Sequence, residues 1–223
     1  SDRSVSASFS QNNYTLSLSS EQGGTVSGGG TYGHGTNANI TATPSTGYSF
    51  SGWSGEGVTD TDVASTTVSM TSDRSVSASF SQNNYTLSLS AGTGGTVSGG
   101  GNYGYGTNAN ITATPSTGYS FNGWSGTGVT DTSAASTTVS MTSDRSVSAS
   151  FSQNNYTLSL SSEQGGTVSG GGTYGHGTNA NITATPSTGY SFSGWSGEGV
   201  TDTDVASTTV SMTSDRSVSA SFS

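Results

Sequence analysis

The sequence predicts an all-β protein built from three tandem copies of one small domain. The segment SDRSVSASFSQNNYTLSLS begins at Ser1, returns at Ser72 and Ser143, and starts once more at Ser214, which sets a period of 71 residues. Apolar and polar residues alternate along most of each copy, as in YTLSL at 14–18, and no stretch has the spacing of an amphipathic helix. Glycine clusters separate these alternating runs. A period of this length with strand-like patterning indicates one folding unit used three times.

About six short, mostly antiparallel strands are expected in each copy. In the first copy they are predicted at 14–18, around Val26, and at 38–42, 48–53, 68–70 and 76–80. The glycines at 23–24, 28–30, 33 and 35 predict turns, and Ser45-Thr46-Gly47 predicts another. Asp73-Arg74-Ser75 is interpreted as a hairpin turn that joins 68–70 to 76–80. This hairpin assigns the strand at 76–80 to the domain that precedes it.

The boundaries of the units follow from that assignment. Units of 1–71 with a leftover strand at the end would also fit the period, but the hairpin favours 11–81, 82–152 and 153–223. Residues 1–10 are then the last strand of a preceding repeat. The connection at 80–85 is short and contains neither Pro nor Gly, so neighbouring domains are expected to restrain each other and form a rod.

Composition excludes several classes of function. The chain has a net charge of −9, four arginines and no lysine, so neither nucleic acid nor an anionic membrane surface is an expected partner. No apolar run approaches the about 20 residues that span a membrane. There is no cysteine, and only 28% of residues are hydrophobic, so each core must be thin and depend on its aromatic residues. The lack of a signal peptide or sorting motif suggests a segment of a longer protein.

One run of residues resembles a known family. It consists of ATPSTGYSFSGWSG at 42–55, VSM at 68–70 and DRSVSASF at 73–80, and it recurs in all three copies. Together these segments resemble the divergent internalin B-repeat family, which is related to the Listeria–Bacteroides repeats of bacterial surface and secreted proteins. The resemblance implies an extracellular or cell-surface location and a β-grasp-like module that serves as spacer, stalk or adhesive segment. It implies no catalytic residues, and no cofactor is expected; a β-grasp fold normally includes a helix, which this sequence does not predict.

Acidic residues in two copies form a weak candidate calcium site. Ca²⁺ prefers about six to eight oxygen ligands, and four aspartates lie in short Asp-Thr-Asp runs near a glutamate. These are Asp60, Asp62, Asp202 and Asp204. The middle copy keeps Asp131 but has Thr127 and Ser133 at the other two positions, so a solvated acidic loop is the favoured interpretation.

Aromatic and histidine side chains offer two further candidates. Trp53, Trp124 and Trp195 could stack on sugar rings, but a tryptophan that completes a thin core is the favoured interpretation. His34 and His176 lie in different copies and cannot share a metal, so each is interpreted as an exposed loop residue.

Three functional hypotheses remain. The first is a structural stalk, spacer or fibre shaft of a bacterial extracellular or cell-surface protein, in which the partners are neighbouring repeats. The second is a subunit that self-associates into filaments, with the strand SDRSVSASFS donated between neighbours. The third is an adhesin repeat that binds surface glycans through its tryptophans with avidity. An enzyme is not expected, because no nucleophile–base pair or pair of carboxylates recurs.

Overall fold

The all-β prediction is confirmed. We describe residues 2–223 in a computed structural model. These residues form 21 strands and no helix, and therefore no helix that is long and apolar enough to cross a membrane. The same seven-strand pattern occurs three times with the 71-residue period, and residues 11–81, 82–152 and 153–223 are referred to below as repeats 1, 2 and 3.

The strands follow one another at the same positions in each repeat. Repeat 1 contains β1 Asn13–Ser20, β2 Gly24–Ser27, β3 Gly30–Gly33, β4 Thr36–Pro44, β5 Tyr48–Ser54, β6 Ser65–Met70 and β7 Arg74–Gln82. Repeat 2 contains β8 Asn84–Ala91, β9 Gly95–Ser98, β10 Gly101–Gly104, β11 Thr107–Pro115, β12 Tyr119–Ser125, β13 Ser136–Met141 and β14 Arg145–Gln153. Repeat 3 contains β15 Asn155–Ser162, β16 Gly166–Ser169, β17 Gly172–Gly175, β18 Thr178–Pro186, β19 Phe192–Ser196, β20 Ser207–Met212 and β21 Arg216–Phe222.

The chain divides into two compact units whose boundary runs through repeat 2. The first contains the residues up to Leu87 with Gly101–Asn108 and Ser140–Asp144, and the second contains Ser88–Gly100, Ala109–Val139 and Arg145–Ser223. Repeat 1 therefore lies in the first unit and repeat 3 in the second. In repeat 2, β8 pairs with β10 inside the first unit, and the pairs β9–β11 and β12–β14 lie inside the second.

Repeats 1 and 3 each contain two sheets. In repeat 1, one sheet has the order β3-β1-β7-β5 and the other has the order β2-β4-β6. Every pairing is antiparallel except β1 with β7, which run parallel from Leu16↔Arg74 to Ser20↔Ala78. Repeat 3 has the same two sheets, in the orders β17-β15-β21-β19 and β16-β18-β20.

The core of each of these repeats contains side chains from both sheets. Strand alternation turns every second residue inward, so Leu16, Ile40, Val68, Met70 and Val76 are each at most 2% exposed. The small residues Ala38, Ala42 and Ala78 allow the strands to pack closely around Trp53. The corresponding cluster of repeat 3 contains Leu158, Ala180, Ile182, Ala184, Trp195, Val210, Met212, Val218, Ala220 and Phe222.

Two details of the predicted fold were wrong. Asp73-Arg74-Ser75 does not make a hairpin, because β6 pairs with β4 in one sheet whereas β7 pairs with β1 and β5 in the other. Asp73 instead bonds to the first strand, where its Oδ1 accepts the N–H of Thr15 at 2.7 Å. The strand β3 was not predicted, because its sequence Gly-Thr-Tyr-Gly lies between glycines that were interpreted as turns.

Candidate functional site

The junction between consecutive repeats is a single residue long. Strand β7 ends at Gln82 and β8 begins at Asn84, so only Asn83 lies between the last strand of repeat 1 and the first strand of repeat 2. Asn154 occupies the same position between β14 and β15. A connection of one residue has no flexible linker, so the geometry here depends on what this asparagine contacts.

Asn83 is bonded on both sides of the junction. Its N–H donates to Gly47 O at 2.8 Å, and its carbonyl accepts the N–H of Tyr105 at 2.8 Å. Its side-chain Oδ1 accepts the hydroxyl of Ser49 at 2.6 Å. Gln82 Nε2 also donates to Tyr105 O at 2.8 Å. Gly47 and Ser49 precede the junction and Tyr105 follows it, so the asparagine joins the two repeats by hydrogen bonds as well as by the chain.

The second junction has the same four bonds. Asn154 N–H donates to Gly118 O and its carbonyl accepts His176 N–H, both at 2.8 Å. Ser120 Oγ donates to Asn154 Oδ1 at 2.6 Å, and Gln153 Nε2 donates to His176 O at 2.8 Å. Bonds of this kind contribute about 0.5–1.5 kcal/mol each, so the set restrains the junction substantially.

A glycine and a ring also meet at each junction. Gly47 and Gly118 have φ values of +83° and +80°, which glycine adopts without strain. A methyl group at Gly47 would overlap the ring of Tyr105, and one at Gly118 would overlap the ring of His176. The glycine therefore serves two purposes, because it turns the chain and leaves room for the ring of the next repeat.

The equivalents of this glycine and ring in repeats 3 and 1 lack the contact among residues 2–223. Gly189, at φ +89°, corresponds to Gly118, but a methyl group there would meet nothing within 4 Å. Tyr190, next to it, is 41% exposed. In repeat 1, His34 corresponds to His176 and is exposed. The interpretation of both histidines as exposed loop residues therefore holds for His34 and is wrong for His176, which is half-buried against repeat 2.

The three tryptophans lie in the cores. Trp53, Trp124 and Trp195 are each 5% exposed. Their Nε1–H groups donate to the backbone carbonyls of Val63, Ala134 and Val205 at 3.1 Å. In this conformation neither face of the indole rings is open to a sugar. A role of the tryptophans in ligand stacking stays a prediction, and the geometry does not support it.

The acidic loops are organised by their own hydrogen bonds. Asp60 Oδ1 accepts the N–H of Asp62 at 3.0 Å, and Asp202 Oδ1 accepts that of Asp204 at the same distance. In repeat 2, Asp131 Oδ1 accepts both the hydroxyl and the N–H of Ser133, and these bonds lower the pKa of the Asp131 carboxyl. Among residues 2–223, no three His, Cys, Asp or Glu side chains come together as a metal-ligand group. The calcium site therefore stays a prediction.

The sequence predicted a short connection that contains Asn83 and a turn that contains Gly47. It did not predict that these two residues contact each other or the ring of the next repeat. One signal was present, because position 34 of the first copy is His, and its equivalents Tyr105 and His176 also carry planar rings. A position that changes identity between copies but keeps a ring indicates a packing role.

These features define the class of the protein as a tandem array of small β domains joined without linkers. The divergent InlB B-repeat family model matches residues 14–84, 85–155 and 156–223, which together span nearly the whole chain. The chain belongs to the divergent InlB B-repeat family, and the resemblance inferred from the sequence is confirmed.

Among solved structures, the chain is similar to "The Bacillus anthracis TIE protein", with a TM-score of 0.46 and 8% sequence identity. The similar region covers 95% of this chain and 50% of that one, so the chain spans half the length of that protein's structure. No curated protein sequence matches the chain.

Proposed function

We propose that the chain is a stiff spacer, a stalk segment of a bacterial extracellular or cell-surface protein, with a mechanical rather than catalytic role. Its family is associated with bacterial surface proteins, which supports the location. The units of this spacer are 11–81, 82–152 and 153–223, with the strand at 76–80 and its equivalents closing each unit. This assignment agrees with the pairing of β7 with β1 and β5 inside repeat 1.

The junction is the observation that carries the proposal. Asn83 and Asn154 leave no free linker, and each is held by bonds to the repeat before it and the repeat after it. Because both junctions have the same bonds, each added repeat extends the array in the same way. Length can then change by gain or loss of identical units, which is a property that suits a spacer.

Small-angle X-ray scattering tests stiffness directly. Chains with three, four and five repeats should show a maximum dimension that increases by the same amount with each repeat. A flexible chain of domains would instead grow roughly with the square root of the number of repeats. A matched series with a Gly-Ser linker inserted before Asn83 and Asn154 supplies the flexible reference. Growth of the unmodified series that matches the linker series would contradict the proposal.

The adhesin alternative rests on the three tryptophans, and their burial gives it no support. A glycan array tests the adhesin alternative by comparing the chain with a variant that has Phe in place of Trp53, Trp124 and Trp195. Binding that the variant loses while it remains folded would restore the adhesin interpretation.

A further inference from the structure

His176 places a titratable ring inside the second junction. The ring lies where a methyl group on Gly118 would be, and it makes an edge contact with the ring of Tyr156, with 5.9 Å between the centroids. Its Nδ1 atom is shielded from solvent and has no hydrogen-bond partner among residues 2–223. Most buried polar atoms in folded proteins have a partner, so this nitrogen requires an explanation.

The two protonation states of the ring differ at this nitrogen. A neutral imidazole carries one N–H, so Nδ1 can stay a bare acceptor while Nε2 holds the proton. An imidazolium carries an N–H on both nitrogens, and the N–H at Nδ1 would have no acceptor in the packed position. Burial without a partner costs much more for a charged group than for a neutral one. The packed position therefore suits the neutral ring.

The elements around the ring supply no charge that would offset this cost. Gly118 lies in the turn before β12, and Gln153 and Asn154 lie at the end of β14 and in the connection to β15, so all three are uncharged. Tyr156 on β15 is the titratable group in contact with the ring. Among residues 2–223, His176 takes part in no ion pair. An imidazolium at this site would have no carboxylate to stabilise it.

The first junction has the same bonds but a different ring. Tyr105 occupies the position of His176, packs against Gly47 and lies 6.4 Å from the ring of Tyr85. The phenol of a tyrosine ordinarily stays neutral up to about pH 10, whereas an imidazole ordinarily gains a proton near about pH 6.5. Only the ring of the second junction is therefore of a type that changes charge in mildly acidic surroundings.

We propose that His176 makes the second junction a pH-sensitive hinge, which is closed at neutral pH and loosens in mildly acidic surroundings. The inference rests on the proposed spacer function and adds a condition under which one junction loses its stiffness. A ring that gains a proton leaves Gly118 to reach water. Its movement weakens two bonds of the same residue, from His176 N–H to Asn154 O and from Gln153 Nε2 to His176 O.

His34 provides a comparison within the same chain. Its ring makes the same kind of edge contact with Tyr14, at 5.8 Å between centroids, but the residue is exposed. An aromatic face can attract a cation, and this effect is common to both tyrosine–histidine pairs. The contact with Gly118 and the buried Nδ1 are what distinguish His176. The pH sensitivity therefore belongs to the junction and not to the pair of rings.

Hydrogen exchange measured by NMR tests the hinge on the full chain. His176 N–H donates to Asn154 O and Tyr105 N–H donates to Asn83 O, both at 2.8 Å, so each amide reports on one junction. After correction for intrinsic exchange rates, the protection of His176 N–H should fall about tenfold or more between about pH 7.5 and about pH 5. The protection of Tyr105 N–H should stay the same. An equal change, or no change, at the two amides would overturn the inference.

Exchanging the two rings between the junctions supplies matched variants. His176→Tyr should fold, because Tyr105 already packs against a glycine at the equivalent position, and it should lose the pH response of the second junction. Tyr105→His should give the first junction a pH response. Most aspartates and glutamates stay ionised at about pH 5, so they should add little to either result. A His176→Tyr chain that responds to pH as strongly as the unmodified chain would overturn the inference.

A distance measurement separates failure of the hinge from failure of the spacer. Spin labels at Thr114→Cys and Thr185→Cys span the second junction, and both positions are exposed. Double electron–electron resonance should give a narrow distribution at about pH 7.5 and a broader one at about pH 5. With His176→Tyr added, the distribution should be narrow at both pH values. A narrow distribution at both pH values in the chain that keeps His176 would overturn the hinge and leave the spacer proposal intact. A distribution that is broad at both would contradict the spacer proposal, and hydrogen exchange would still decide whether the junction responds to pH.

Discussion

The ring of His176 lies against Gly118, and the space that it occupies is the space that any side chain at position 118 would need. The same relationship joins Tyr105 to Gly47 at the first junction. A glycine in one repeat thus packs against an aromatic ring of the next repeat, and this contact couples the stability of the two repeats.

Gly118→Ala should weaken the second junction. The substitution imposes about 1–2 kcal/mol for a left-handed backbone and about 1–3 kcal/mol more for overlap with the His176 ring. Gly189→Ala is the matched control, because its φ of +89° is similar but a methyl group there meets nothing within 4 Å. Urea denaturation should show a larger decrease in the free energy of unfolding for Gly118→Ala than for Gly189→Ala. Equal losses in the two variants would mean that the ring contact contributes nothing.

Trp195→Ala should unfold repeat 3 or nearly do so. Truncation of a buried tryptophan costs about 3–5 kcal/mol, which is comparable with the about 4–10 kcal/mol expected for a unit of this size. Tyr190→Ala, at a position 41% exposed in the same repeat, should cost less, about 1–2 kcal/mol, because part of its ring packs over Gly165. Thermal denaturation followed by circular dichroism compares the two. A Trp195→Ala chain as stable as the Tyr190→Ala chain would show that the indole is not a core residue.

Glu56→Thr should have almost no effect on stability. Arg74 Nη1 donates to Glu56 Oε2 at 2.8 Å, but the Glu56 side chain is 90% exposed, and exposed pairs of this kind contribute about 0–1 kcal/mol. Repeat 2 already carries the replacement, since Arg145 Nη1 donates to Thr127 Oγ1 at 2.8 Å. Chemical denaturation at low and high salt measures the difference. A loss well above 1 kcal/mol would show that the carboxylate does more than pair with Arg74.

Asp131 should titrate below the ordinary aspartate value of 3.8. The side-chain and backbone hydrogen bonds of Ser133 stabilise its carboxylate and lower its pKa. Because the pKa is lower in the folded chain than in the unfolded chain, the Ser133 hydrogen bonds to the Asp131 carboxylate stabilise the fold at pH values above the unfolded pKa. This stabilisation is lost as the pH falls through the folded pKa. Ser133→Ala should raise the Asp131 pKa toward 3.8 in an NMR titration. An unchanged pKa would assign the shift to another cause.

The sequence was sufficient for six of the seven strands of a repeat and for the core, but not for β3 or for how the sheets are arranged. Alternation at 14–18, 38–42 and 76–80 specifies which side chains turn inward, and Leu16, Ile40 and Val76 are indeed buried. Alternation does not specify which strands pair. The segment Asp73-Arg74-Ser75 therefore suggested a hairpin, whereas the chain there crosses from one sheet to the other.

The contacts at the junction were not predictable for a related reason. Asn83 and Gly47 are separated by 36 positions, and a polar residue next to a turn glycine has many explanations in a chain with 34 glycines. Their relationship depends on the fold of repeat 1 and on the position of Tyr105 in the next repeat. Only long-range geometry brings these three residues together.

Stiffness at the junction is the central claim, and a distance distribution across one junction tests it most directly. Thr114 and Thr185 are exposed strand residues at equivalent positions in repeats 2 and 3, and the chain has no cysteine to interfere with labelling. Spin labels at Thr114→Cys and Thr185→Cys should give one narrow distance distribution by double electron–electron resonance. Insertion of a Gly-Ser linker before Asn154 should broaden it. A distribution in the unmodified chain that is as broad as that of the linker variant would contradict the account.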